Sequence, residues 1–566
     1  MRSDDMPVSR ANGRYLNMGG TMGFKDMMER ARLKRDLEQE QIKNQIAKTR
    51  ANTAALGIQA DTIERYKNSG YSNGGASRTA TWAEKYHSRS LSAKSDIEEN
   101  RKTLRERTRD LSMNAPLATA AIVSTRTNCV GSGLVPKPKI NYGLLGITKE
   151  AAEELQTKIK NEFALWAEST LCDASDQNNF YELQQIAFLD WLKNGEEFVL
   201  IRYDGELPYM PYQLRIKLIE ADRVCTEDSY GEYDGYDTQQ KNGNAVMNGI
   251  EIDHGGKVVA YHICSAHPGE YTSKKLEWKR VEKRGKLTGN PNVLHIFNAE
   301  RAEQYRGVPF LAPVIETIKQ LSRYTEAEIM AAVLNAMLAI FVTSKSGEEI
   351  GGYEGVVERE DQKDRDGKIE VGVGTLTYLG EGEDVKPVES KHPSGNYDAF
   401  VQAMSMQIGA ALEIAPEILL KKFGQNFSAS KGALNETWKA YSMRRKWFVN
   451  DFCQEVYSLW FAEAVSKGRI DAPGFFGDPI VRKAYTRATW NGPAQGNLDP
   501  VKEVSASVKR IENGLSTRED ECAMINGSDY EDNVRTLIGE NEKLAKANKK
   551  GRNHENDKGK RADRIK

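Results

Sequence analysis

Leu294–Ile340, LHIFNAERAEQYRGVPFLAPVIETIKQLSRYTEAEIMAAVLNAMLAI, reads as a strand, a turn and one long helix, with no catalytic motif among them. Val293, Leu294, Ile296 and Phe297 have the composition of a short buried strand. Arg301 to Gly307 is a polar turn closed by glycine. Pro313 suits the first turn of a helix, where its missing N–H is not needed. Leu311, Val314, Ile315, Ile318 and Leu321 then form one apolar stripe at helical spacing, with Glu316, Lys319, Gln320 and Arg323 on the other face. Unbroken from Phe310 to Phe341, such a helix would be roughly 45–50 Å long at about 1.5 Å per residue. Periodicity alone reads it as the core helix of a large domain.

Working outward, the 566 residues are enough for several cores and two to four structural regions. Charged residues make up 28% of the chain, yet the net charge is −1. A strong non-specific DNA binder is usually basic, because counterion release from phosphates drives such binding. Near-neutrality fits a surface past which DNA slides. The six cysteines contain no CxxC pair, which points away from a zinc ribbon or a dense disulfide framework and towards reduced thiols. No charged-then-apolar leader opens the sequence, so a secretory signal is not expected. The most apolar window, Ile329–Val342, is too short to span a bilayer, and the chain is expected to be soluble.

Phe24–Arg50 is rich in charge with scattered apolar residues, as in a solvated or partner-bound helix. Asn68–Ser77, NSGYSNGGAS, reads as a linker. Helical patterning starts at Ser95; Leu117, Ala121, Ile122 and Val130 offer packing positions before Gly131 and Gly133 end it. Helices are expected at Ile147–Leu171 and Phe180–Lys193, and strands at Glu197–Tyr203 and Tyr212–Ile219. Glu227–Asn248 reads as an exposed loop, followed by strands at Gly249–Ile252 and Val258–Cys264. Ser344–Gly367 is an acidic break. A helix at Tyr397–Ala411 ends before Pro416. Leu434, Trp438, Tyr441, Phe448, Phe452, Val456 and Leu459 mark another long amphipathic helix, and past Glu540 the composition predicts disorder.

Several phrases, kept in order from about Ser95 to Glu540, resemble the lambda-type portal family of tailed bacteriophages. They include Arg107-x-Arg109-Asp110-Leu111, Asn114-x-Pro116-Leu117-Ala118, Asn128-x-Val130-Gly131-x-Gly133-Leu134 and Asn194-Gly195-Glu196. Further matches are Leu218-Ile219-Glu220-Ala221-Asp222-Arg223-Val224, Gly249-Ile250-Glu251, Ala260-Tyr261-His262, His267-Pro268-Gly269 and the Leu294–Ile340 run with its Gly307-Val308-Pro309. Leu498-Asp499-Pro500-x-Lys502-Glu503 and Asn513–Arg518 extend the likeness. Near Asn426-Phe427-Ser428 the pattern departs: Ala429 and Lys431 stand where the family has serine and arginine, so a role needing a guanidinium fork is not carried over.

The resemblance implies an α+β, portal-like subunit with long helices, an α/β wing, a small β-rich clip and a helical C-terminal crown. The parts would be a charged arm and linker (1–94), the first part of the wing (95–226), the clip with connecting strands (227–306) and a stem helix (307–343). An acidic loop with strands (344–395), a tunnel-proximal helical region (396–470), a crown (471–540) and a disordered tail (541–566) would follow. It also implies a non-enzymatic, cofactor-free dodecameric ring at the capsid vertex of the virion, assembled in the host cytoplasm. That ring would conduct double-stranded DNA, weakly bound, and dock the terminase large subunit, the major capsid protein with scaffold, and head-tail connector proteins, with no membrane.

Candidate functional residues are few. Glu358, Glu360 and Asp361 are candidates to line the channel, where carboxylates repel phosphate. Arg444, Arg445 and Lys446, near Tyr441 and Trp447, are candidates for DNA contact, set against the common reading of three bases on one helical turn as a solvated or subunit-facing surface. Gly70-Tyr71-Ser72-Asn73-Gly74 satisfies G-x-S-x-G but sits in a linker, not between strand and helix. His262, Cys264 and His267 are metal-capable, with no evident fourth ligand, so no metal is expected. Gly249–Lys257 lacks the spacing and hydroxyl of a phosphate loop, which argues that any motor is a separate protein. The alternative, a terminase or nuclease of the same apparatus, needs that loop or a cluster of metal-binding carboxylates.

Overall fold

The computed structural model describes residues 88–227, 238–240, 242–270, 275–337, 341–344, 383–386, 396–422, 427–496 and 499–562, positions 81 and 86, and parts of 29–48. The chain divides into Met1–Ser90 and Leu91–Lys566. In the first unit the described residues within 29–48 are helical and exposed, Leu33, Leu37 and Ile42 included. Three scattered apolar side chains cannot build a core.

The second unit opens with α1 (Glu99–Asn114) and α2 (Pro116–Cys129), the latter begun by a proline as its first residue. Ala121, Ile122 and Val130 are buried as expected, and the glycines that end the helix take positive φ, 61° at Gly131 and 125° at Gly133. After β1 (Val135–Pro138), α3 (Lys149–Ala167) and α4 (Phe180–Asn194) follow. Asn179 and Glu182 close a capping box at the start of α4, satisfying N–H groups that the helix leaves free.

β2 (Glu196–Tyr203) is the middle of a three-stranded antiparallel sheet between β3 (Leu214–Ile219) and the strand at 293–297, with Phe198 opposite Ile219 on one side and His295 on the other. Between these lies a five-stranded antiparallel meander: β4 (Thr238–Gln239), β5 (Ala245–Met247), β6 (Ile250–Ile252), β7 (Val258–Cys264) and β8 (Trp278–Glu282). This β-rich lobe packs on the three-stranded sheet through Phe198, Ile219, Val224, Ile250, Tyr261 and Val293. The chain returns by β9 (Val293–Phe297) and enters α5 (Ile315–Met337) through one 3-10 turn.

β10 (Phe341–Ser344) pairs with β11 (Glu383–Lys386). Then come α6 (Tyr397–Leu412), α7 (Phe427–Phe448) and α8 (Gln454–Ser466), the last two joined by a π-helical turn at Val449–Cys453. β12 (Ala488–Asn491) pairs back onto β1, Val135 opposite Asn491. Helices α9 (Pro500–Glu512), α10 (Arg518–Ile525) and α11 (Tyr530–Ala562) close the chain. The main core is aromatic. Phe163 of α3 meets Trp460 of α8 edge-on at 4.9 Å between ring centroids, and Trp191 of α4 stacks on Phe448 of α7. Trp166, fully buried, donates its indole N–H to the Leu214 carbonyl at 3.0 Å, so the ring is buried without an orphan donor.

Of the apolar stripe, Leu311, Val314, Ile318 and Leu321 are buried as the spacing predicts, and Ile315 is half-buried at its edge. The helix differs at both ends from the Phe310–Phe341 expectation. It begins at Ile315 after the 3-10 turn, and Phe341 already lies in β10, so α5 is about 35 Å long at about 1.5 Å per residue. Glu227–Asn248 is not one loop, because Thr238–Gln239 and Ala245–Met247 are strands. β4 pairs with β5 and β5 with β6, and these partners supply the hydrogen bonds that segments of two and three residues do not advertise. Past Glu540, where composition predicts disorder, α11 continues to Ala562; Lys, Glu and Ala there are adequate helix formers. The acidic segment Ser344–Gly367 lies, after Ser344, outside the described residues, as do Asn68–Ser77 and with it Gly70–Gly74.

Candidate functional site: a buried charge network at the lobe joint

Arg101, Arg105 and Arg109 recur every fourth residue on α1 and therefore form one stripe. Where an amphipathic helix would carry leucines, this stripe carries guanidinium groups, and Arg101 and Arg105 are buried. Their partner is Glu196, the first residue of β2, which has no exposed surface. Arg105 reaches its Oε1 at 2.7 Å and Arg101 at 3.5 Å.

Arg306, from the turn ahead of α5, is equally buried and supplies the third guanidinium. Its Nε donates to both Glu196 oxygens at 2.8 and 2.9 Å, and its Nη2 lies 2.6 Å from Oε1. The other Arg306 donors go to main-chain carbonyls of Ala221 at 3.0 Å, Val224 at 2.9 Å and Asn248. His295 Nε2 lies 3.1 Å from Glu196 Oε2, and the Gly307 amide donates to the same oxygen at 3.0 Å. One carboxylate thus joins α1, β2, β9 and the entry to α5, while Arg306 also holds the chain entering the lobe and the turn between β5 and β6.

Two glycines make the approach possible. A Cβ on Gly307 would lie 1.9 Å from the Gly195 carbonyl oxygen, and one on Gly195, at φ 85°, would lie 2.4 Å from the Val308 carbonyl carbon. Asn194-Gly195-Glu196 and Gly307-Val308-Pro309 are two halves of one contact.

Beside it, Asp222 binds Arg105 at 2.6 Å and Arg109 at 2.5 Å. Arg109 also reaches Glu220 at 2.9 Å and the Asn194 side chain at 2.7 Å. Burial by itself would raise the Glu196 carboxyl, but Arg306, His295, Arg101 and Arg105 outweigh it and hold it well below the usual carboxylate range. The same balance, with Arg105 and Arg109 winning, lowers Asp222. His295 is lowered, burial outweighing its bond to Glu196, so it stays neutral near pH 7. Every Glu196 oxygen is engaged, which makes the network a rigid joint with no open position for a reactant.

The metal-capable trio of His262, Cys264 and His267 separates. His262 Nε2 faces Glu251 Oε2 at 3.3 Å, Cys264 is buried, and His267 turns to Asp222 at 3.5 Å. Among the described residues the ligand-capable group that comes together is Glu220, Asp222 and His267. Asp222 there is held by two arginines that a cation would have to displace.

Arg444 donates to the Leu412 carbonyl and to Glu413 and lies over the Phe310 ring. Arg445 donates to the carbonyls of Cys129, Asn128 and Pro493. These two candidate DNA contacts are engaged inside the subunit, tying α7 to α2 and α6, and only Lys446 of the three is exposed. Glu358, Glu360 and Asp361 lie outside the described residues. The network itself was not singled out from sequence, although the four-residue spacing of the α1 arginines is a signal that points to it.

No helix among the described residues is long and apolar enough to cross a membrane. The chain is 23% identical to portal protein B of Escherichia phage lambda over 75% of its length and 80% of the relative's, and 24% identical to the portal protein of Escherichia phage N15 over 75% and 81%. A chain from the virion of a native gene transfer agent particle aligns with 75% of this chain and 92% of its own at 12% identity and TM-score 0.37, a likeness on which nothing further rests. The model of the phage portal protein, lambda family, matches residues 77–445, a span that takes in the α1 arginines, Glu196, the β-rich lobe, Arg306 and α5; the chain belongs to that family, which is structural and not enzymatic.

Proposed function

We propose that this chain is the repeating subunit of a portal ring at the capsid vertex, the conduit through which double-stranded DNA is packaged and ejected. The observation that carries the reading is the family match over residues 77–445. The joint at Glu196 supports it physically: DNA forced through a ring loads each subunit, and a subunit built of a helical body and a β-rich lobe needs a joint that does not yield. Buried charge pairs resist partial opening, because breaking one leaves an uncompensated charge.

On this reading the lobe at 227–306 is the clip and residues 307–343 the stem, with wing segments at 95–226 and 396–470 and a crown at 471–540. The ring is a dodecamer in the virion, assembled in the host cytoplasm. It docks the terminase large subunit, which does the ATP chemistry, as well as the major capsid protein with scaffold and the head-tail connector proteins. Glu358, Glu360 and Asp361 border the channel and keep phosphate from sticking. Replacing all three by Gln or Asn is expected to slow packaging; unchanged packaging removes that role. Light scattering coupled to size exclusion, followed by negative-stain images, tests the ring itself. Closed rings of about a dozen copies are expected, and a monomer that stays a monomer on co-expression with scaffold and capsid protein overturns the reading.

A further inference from the structure

The C-terminal helices α9 to α11 form an arm that brings no buried apolar side chain to the rest of the molecule. Among residues 499–547 the buried side chains are Ser507 and Glu521, and α9 turns Val501, Val504 and Val508 to water. Both buried groups are engaged inside the arm, where Arg510 donates to Ser507 at 2.9 Å and to Glu521 at 2.6 Å. The ion pairs and hydrogen bonds from the arm's side chains to the body are few. Glu503 pairs with Lys431 of α7 at 3.1 Å. Lys137 of β1 meets Asp529 at 3.1 Å and Glu519 at 3.2 Å, Lys139 meets Glu519 at 4.0 Å, and Lys160 of α3 pairs with Asp532. Arg535 donates to Thr157 at 3.2 Å.

Charge is divided across this seam. One cleft of about 400 Å³ runs along it. The body lines it with five bases, among them Lys137, Lys139, Lys160 and Arg487, and with one acid, Glu153, which Lys149 already meets at 3.5 Å. The arm lines it with four acids, Glu519, Asp529, Glu531 and Asp532, and with one base, Arg535. Partly exposed ion pairs hold weakly and are screened by salt, and an element with few buried apolar contacts opens while the rest stays folded. A lifted arm would leave Lys137, Lys139, Lys160 and Arg487 facing one cleft that retains a single carboxylate.

We propose that the arm is a latch over a phosphate-binding cleft: its acids occupy Lys137, Lys139 and Lys160 while it is closed, and the backbone of duplex DNA takes their place when it lifts. The choice of DNA rests on the portal reading above, whereas the latch rests on the seam alone.

The tests use the full-length chain. Acylation of Lys137 by an amine reagent, read by peptide mass, is expected to rise at least threefold between about 0.1 and 1 M NaCl, over which the screening length falls from about 10 to 3 Å. The half-buried Lys193 of α4 should stay as it is. Equal labelling of Lys137 at both salt concentrations overturns the latch. Asp529→Asn with Asp532→Asn opens it, and asparagine keeps the bonds that Asp529 accepts from the first amides of α11. At low salt this variant is expected to bind a duplex of about 30 base pairs at least tenfold more tightly than the parent, because freed lysines displace the counterions of the phosphates. Glu540→Gln with Glu542→Gln makes the same change of charge at exposed acids further along α11 and is the control. Adding Lys137→Gln and Lys160→Gln to the opened variant should return its affinity to that of the parent. An equal gain from the control pair, or a gain that survives loss of the lysines, overturns the site. Capture of the opened variant by anionic lipid vesicles, with no gain for the duplex, overturns DNA as the ligand. Negative-stain images of the same samples separate the two readings. Rings without any gain for the duplex overturn the phosphate site and leave the ring reading intact; no rings, even after co-expression with scaffold and capsid protein, overturn the ring reading and the choice of DNA with it.

Discussion

Glu196 and Glu197 are neighbours on β2, neither has exposed surface, and the two faces of the strand treat them in opposite ways. Because side chains alternate across a strand, Glu196 turns towards α1 and Arg306 and meets three guanidinium groups, an imidazole and an amide. Neither oxygen of Glu197 finds a hydrogen-bond partner among the described residues. Burial, and then the nearby acids Asp190, Glu220 and Glu196, push it well above the usual range. One face is a charged joint; the other holds a carboxyl that folds most easily with its proton on. Burial alone therefore decides nothing about a carboxylate, and the donors facing it decide the sign.

The comparison breaks first at Glu196. Glu196→Gln leaves three arginines facing a neutral amide and is expected to cost about 3–5 kcal/mol, read as a lowered urea midpoint at pH 7.5. Its pH dependence has a definite sign. A depressed carboxyl stabilises above its unfolded value of about 4.3 and loses that contribution as pH falls through the folded value, so the variant is expected to lose less stability on acidification than the parent. An equal acid slope in both would sink the account of Glu196.

Gly307→Ala strikes the same joint without touching a charge. The new methyl collides with the Gly195 carbonyl, and a loss of about 3 kcal/mol is expected, the upper end for overpacking. A neutral outcome by the same unfolding measurement would mean that the two backbones do not meet.

Glu197→Gln sharpens the contrast, since it is expected to stabilise at pH 8 by about 1–3 kcal/mol. A raised carboxyl favours the fold while protonated, and its cost grows as pH rises through the folded value, so the gain should shrink at pH 5. Loss of stability at both pH values would show that the charged form is held by a partner. The smallest effect belongs to Asp190, pushed up to about 6 by burial, with Glu220 adding to the rise and Lys193 opposing it. Asp190→Asn is expected to gain about 1–2 kcal/mol at pH 8 and nothing at pH 4, read from thermal midpoints at the two pH values.

Local pattern carried the helices as far as α8 and five of the strands, β2, β3, β6, β7 and β9, while helices α9 to α11 and the other strands were not read from it. The stripe through Leu311, Val314, Ile318 and Leu321 needed only a period of 3.6, the Trp438-to-Leu459 series gave helix on both sides of a π-helical turn at Val449–Cys453 that it did not show, and β7 and β9 needed only mostly apolar runs. The short strands β4 and β5, two and three residues long, were not legible, because what makes them strands is the partner and not the residues. The same limit hid the site. The phrases Asn194-Gly195-Glu196, Glu220-Ala221-Asp222 and Gly307-Val308-Pro309 stood out singly, with nothing to say that they meet. Arg444 and Arg445 looked like a basic patch because a sequence shows charge and does not show the carbonyls that absorb it.

Taken by itself, then, the sequence determined the family, the helix α5 and its buried stripe, the mixed helical and strand composition, and the near-neutral charge, all of which depend on local order and spacing. Only the tertiary structure decided that one glutamate gathers three arginines while its neighbour meets almost none, and that α9 shows its apolar side to water. Electrostatics at a buried site depends on distances of a few ångströms between groups tens to hundreds of residues apart, and those distances exist only once the chain has folded.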